Sequence, residues 1–65
     1  MPENVRPIAA LLTPLARTLR HKSLTAALED LKIGKLTRAL IRLQALPFNH
    51  GAIRDACRML VRAGA

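Results

Sequence analysis

The sequence predicts an all-α fold, a compact bundle of four or five short helices, and three observations predict it. Apolar residues recur at three- and four-residue spacing along nearly the whole chain, as in helices that bury one face. Prolines and glycines fall between these runs, at Pro7, Gly34, Pro47 and Gly51, where helices begin or end. The 65 residues contain no repeat, low-complexity segment or flexible linker, so residues 1–65 read as one domain.

The first apolar series is Ile8, Leu11, Leu12, Leu15 and Leu19, with Arg6, Arg17 and Arg20 opposite it. Pro7 suits a first helical position, where its missing N–H would be unpaired anyway. Pro14 does not suit an interior, because its ring crowds the carbonyl four residues back and it donates no hydrogen bond. Two readings follow. Either one kinked helix runs from about Pro7 to Arg20, or Thr13 caps a new helix at Pro14, giving segments over about 7–13 and 14–22. The apolar phase survives across Pro14, so the two pieces would stay roughly in line.

Ser23 or Thr25 can cap the next helix, over about 24–31, whose inner face is Leu24, Ala27, Leu28 and Leu31. At Lys32-Ile33-Gly34-Lys35 the phase changes. With roughly 100° per residue, Leu36, Leu40 and Leu43 point well away from the preceding stripe, so one straight helix could not bury both sets. Gly34 then fits a left-handed residue closing the helix, with Lys32 favourable in its last turn. A longer helix follows over about 35–46 and ends at Pro47. Asn49 or Gly51 opens the last helix, about 52–62, with Ile53, Ala56, Cys57 and Leu60 inside and Arg54, Arg58 and Arg62 outside.

Composition narrows the function. Cys57 is the only cysteine, so no internal disulfide can staple the chain, and a lone thiol fits a reducing compartment. Cys57, His21 and His50 do not have the spacing of a closed zinc site, and no metal or other cofactor is expected. The acids Glu3, Glu29, Asp30 and Asp55 do not gather into an acid–base pair. Cys57 falls on an apolar face, where a thiol is ordinarily an inert core residue. These features point away from catalysis. His21 and His50 read as solvated or capping residues, and Glu29 and Asp30 as partners of nearby lysines. No apolar run approaches membrane-spanning length, and Met1-Pro2-Glu3-Asn4 lacks the basic start of a secretory signal, so neither membrane insertion nor secretion is expected.

Eleven Lys and Arg against four Asp and Glu leave a net charge of +7, which calls for an anionic partner. Lys35, Arg38 and Arg42 form one stripe, and Arg54, Arg58 and Arg62 another. Such stripes are often only solubilising surface. Here few acids interleave with them, and arginine suits forked contacts with carboxylate or phosphate. The segments 24–31 and 35–46 invite comparison with a DNA-binding helix-turn-helix, but Asp30 and Glu29 stand where that motif wants a small residue and an apolar one. Base stacking would need aromatic residues, and Phe48 is the only one. Phe48 itself either folds back onto the core or stands out as an anchor for a partner.

The stretch Leu24-Thr25-Ala26-Ala27-Leu28-Glu29-Asp30-Leu31-Lys32-Ile33-Gly34-Lys35-Leu36 resembles the middle of the TFIIS N-terminal domain family. That family includes elongin A, a Mediator subunit and the integrase-binding domain of a chromatin-tethering factor. Thr25 is similar to the Thr that leads the family's short helix, Ile33-Gly34-Lys35 to its turn, and Leu40 with Arg42 to the apolar and basic positions that follow. Ile53-Arg54-Asp55-Ala56-Cys57-Arg58-Met59-Leu60-Val61 is similar to the closing helix, of the form I-R-x-x-A-K-x-L-V. The chain departs from the family where Ala63-Gly64-Ala65 replaces the usual Trp-Lys, where no proline precedes Thr25, and in a longer loop around Phe48.

The resemblance implies a nuclear, non-catalytic docking module of the transcription-elongation and chromatin machinery. Such a module holds acidic disordered segments with aromatic or apolar anchors in grooves between helices. On this reading Phe48 and its loop supply the apolar contact, while Lys35, Arg38, Arg42, Arg54 and Arg58 attract the acidic flank. Two readings without the resemblance stay open: a small basic nucleic-acid-binding regulator of bacterial, phage or plasmid type, compatible with a homodimer, and a helical adaptor or inhibitor of a larger protein. Either would be cytoplasmic.

Overall fold

The amphipathic periods resolve into four helices in the computed structural model, which describes residues 2–65: α1 over Arg6–Leu19, α2 over Lys22–Lys32, α3 over Leu36–Gln44 and α4 over Gly51–Arg62. There is no fifth helix among the described residues, because α1 runs unbroken through Pro14. The Thr13 hydroxyl does not cap a new helix there. It donates 2.7 Å to the carbonyl of Ala9, one turn back in the same helix. Arg20 ends α1 in a left-handed conformation (φ 52°), where the reading of one helix from about Pro7 to Arg20 places its end; the stop near 22 of the split reading is not seen.

Of the solvated and capping roles open to His21 and His50, both take the capping one, in place of the helix openers expected beside them. His21, not Ser23 or Thr25, opens α2: its Nδ1 accepts a hydrogen bond from the backbone N–H of Ser23 at 3.2 Å. His50 does the same for α4, accepting from the N–H of Ala52 at 3.1 Å. In both, an imidazole nitrogen satisfies one of the N–H groups that a helix start leaves unpaired. α3 is shorter at both ends than the expected 35–46, with Lys35 and Ala45 as its flanking residues.

The turn at Gly34 forms as its chemistry demands. Gly34 has φ 79°, its N–H donates to the carbonyl of Leu31, and the N–H of Lys35 donates to that of Asp30. This pair of bonds is the left-handed closure that satisfies the last carbonyls of a helix. Gly64 (φ 98°) repeats the arrangement after α4, with bonds from Gly64 to Val61 and from Ala65 to Leu60.

The helices form a closed ring: α1 packs on α2, α2 on α3, α3 on α4, and α4 back on α1. The particle measures 25 × 17 × 17 Å. Its centre is filled by Ile8, Leu12, Leu24, Leu31 and Leu60, each fully buried and drawn from α1, α2 and α4, with Ala39, Leu40 and Leu43 supplied by α3. Burying one such leucine is worth roughly 1.5–3 kcal/mol. The phase break is real, since Leu24, Leu28 and Leu31 on α2 and Leu40 and Leu43 on α3 all reach this core from differently turned faces. Leu19 is an exception, exposed at the end of α1 rather than on its inner stripe. No helix among the described residues is long and apolar enough to cross a membrane.

Candidate functional site

Pro47 cannot continue α3, so the chain turns at Leu46-Pro47-Phe48-Asn49 before His50 starts α4. Leu46 and Phe48 lie half-buried against the core. The Phe48 ring meets the His21 imidazole edge-on, with centroids 5.5 Å apart at 76°. Phe48 therefore folds back onto the core, as the first alternative has it, and what remains exposed of it lines a cleft. Between the end of α3, this loop and the first turns of α4 lies a cleft of about 250 Å³. Leu43, Leu46, Phe48, Ile53 and Cys57 form its apolar part, and Gln44, Asn49, His50 and Arg54 a polar part of nearly equal extent.

The cleft adjoins a shallower groove along α4, bordered by Arg54, Cys57, Arg58, Val61 and Arg62. Arg54 and Cys57 belong to both. All three arginines are exposed, and Val61 is 58% exposed between them. Burial raises the Cys57 thiol above its ordinary pKa, which lowers its thiolate content at neutral pH and makes it a poor nucleophile.

Lys35 and Arg38 lie elsewhere. They border a separate groove at the start of α3, with Gly34, Leu36, Thr37 and Ile41, that shares no residue with the cleft. Arg42 is committed to the fold: its Nε donates 2.8 Å to Oδ2 of Asp30, whose carboxylate is buried between α2 and α3. Asp30 thus pairs with an arginine twelve residues on rather than with a nearby lysine, whereas Glu29 does pair with Lys32, at 3.4 Å. Of the eleven Lys and Arg residues, only Lys32 and Arg42 have an acidic partner among the described residues.

The six residues singled out from the sequence therefore divide three ways. Phe48, Arg54 and Arg58 border two adjoining hollows, Lys35 and Arg38 share another, and Arg42, half-buried, is tied to Asp30 across α2 and α3. The sequence reading missed Val61 and His50 as parts of the surface. Val61 carried a signal, since it falls outside the α4 core positions Ile53, Ala56 and Leu60 and immediately precedes an outer arginine. His50 carried none, because its place at the cleft depends on how the loop folds. No group of three His, Cys, Asp or Glu side chains able to hold a metal ion gathers among the described residues. Comparison with protein-family profiles, curated proteins and solved structures finds nothing that matches the chain.

Proposed function

We propose that the protein is a non-catalytic docking module that holds acidic, disordered segments of partner proteins in the α3–α4 cleft. One observation carries this reading: a cleft of mixed apolar and polar lining, walled by Phe48, shares Arg54 and Cys57 with a groove bordered by exposed arginines without acidic partners. An aromatic or aliphatic anchor would enter the cleft, and flanking carboxylates would pair with Arg54, Arg58 and Arg62. The anchor supplies most of the affinity, while the charge speeds encounter and sets direction. The resemblance of Leu24–Val61 to the TFIIS N-terminal domain family supports a place in the nuclear transcription-elongation and chromatin machinery. The Arg42–Asp30 pair removes Arg42 from the contact set, and the remote position of Lys35 and Arg38 leaves them as long-range attraction only.

The test is fluorescence anisotropy with a labelled synthetic peptide carrying one Phe among Asp and Glu residues. Saturable binding is expected, weakened about tenfold or more (1.4 kcal/mol) by the double substitution Arg54→Glu/Arg58→Glu and by Phe48→Ala. Unchanged affinity in both variants would overturn the reading. Tighter binding of a labelled DNA duplex, with log affinity falling steeply against log salt, would replace it with the nucleic-acid-binding alternative.

A further inference from the structure

α4 carries two different rows side by side. Arg54, Arg58 and Arg62 recur every fourth residue, about 6 Å apart along the axis. Beside them run Cys57 and Val61, each immediately preceding an arginine. All five border one groove. Val61, 58% exposed, thus sits beside a row of cations that have no acidic partner.

The two rows constrain the shape of what covers them. An extended segment sends alternate side chains to opposite sides, so the residues facing α4 fall in a single file rather than in two adjacent rows. A helix presents an i, i+4, i+8 row beside an i+3, i+7 row, which is the arrangement α4 itself displays. We infer that the partner folds on binding into an acidic amphipathic helix lying along α4. Its carboxylate row sits over Arg54, Arg58 and Arg62, and its aliphatic row rests on Cys57 and Val61. Charge decides the occupant, because a second copy of this chain would bring a net +7 and the same arginines against their own kind. The inference rests on the acidic-docking reading above and adds to it the partner's bound conformation and residue pattern.

Two labelled synthetic peptides test it. The first carries Glu at every fourth position with Leu in the adjacent row. The second is the same peptide with its central residue replaced by proline, which breaks a helix while keeping the charge. The first is expected to bind and to gain helical circular dichroism on binding, and the second to bind at least about tenfold more weakly. Val61→Ser and Arg58→Glu, both at exposed positions, should each weaken the first peptide several-fold with the protein's own helical signal unchanged. Equal binding of the two peptides, no gain of helicity, or indifference to Val61→Ser overturns the inference. If neither peptide binds but the Phe-containing peptide still does, the inference falls and the docking reading stands. If none of the three binds, both fall.

Discussion

Asp30 does two jobs at once. Its backbone carbonyl accepts the N–H of Lys35 to close the turn, and its buried carboxylate accepts Arg42 Nε from the following helix. Removing the arginine would strand a charge in a site that is only 7% exposed. Because Arg42 itself keeps contact with solvent, the cost of Arg42→Met is expected at about 1–3 kcal/mol, below that of a fully buried pair. Urea denaturation reads it, and Arg38→Met, at an exposed residue without an ion-pair partner, serves as the control and should change little. Arg20 makes the opposite case. A left-handed non-glycine residue costs roughly 1–2 kcal/mol, and glycine's extra freedom in the unfolded chain returns about 0.5–1 of that. Arg20→Gly should therefore stabilise the protein by about 0.5–1 kcal/mol, visible as a higher urea midpoint at unchanged slope.

Among the elements, α1 carries a local conflict. Pro14 sits inside the helix, is exposed, and leaves the carbonyl of Ala10 without its usual donor. The helix persists because Ile8, Ala9 and Leu12 are held in the core and Leu15 packs against it. Tertiary burial overrides the local preference. Pro14→Ala restores the missing bond at the expense of a more flexible unfolded chain, and is expected to raise stability by about 1–2 kcal/mol. Thermal denaturation followed by circular dichroism would detect it, and a lower midpoint would show that the proline is required here. α2 and α3 show local and global preferences in agreement, since Gly34 closes α2 where the apolar phase turns. α4 divides its circumference three ways: a buried face through Ile53, Ala56 and Leu60, an apolar seam at Cys57 and Val61, and the arginine row.

Across the whole molecule, charge works against compactness. Unpaired cations lie on all four helices or at their ends, from Arg6 and Arg17 to Arg62, around a core supplied by a chain of only 65 residues. Self-repulsion at a net +7 opposes folding, and salt screens it over about 10 Å at 0.1 M. Raising sodium chloride from low to moderate concentration should thus increase the thermal midpoint while weakening any acidic peptide bound to the arginine row. A protein in which both rose together would not be using that row for binding. The same distribution explains why net charge alone points to no face: the cleft beside Phe48, not the number of arginines, distinguishes one surface from the rest.

By itself the sequence determined the all-α class, the four amphipathic faces, the break at Gly34 and the exposure of Arg54, Arg58 and Arg62. These follow from residue spacing and from the backbone freedom of single residues, which act over one or two helical turns. It did not determine that Thr13 would bond back into α1, which of the solvated and capping roles His21 and His50 would take, that Arg42 would pair with Asp30, or how Phe48 would divide between core and cleft. Each of these depends on which competing local partner wins, or on residues far apart in the chain meeting, as Phe48 meets His21 and Arg42 meets Asp30. Such meetings are set by how the ring of helices closes. Packing therefore decided which parts of a uniformly basic chain could become one surface.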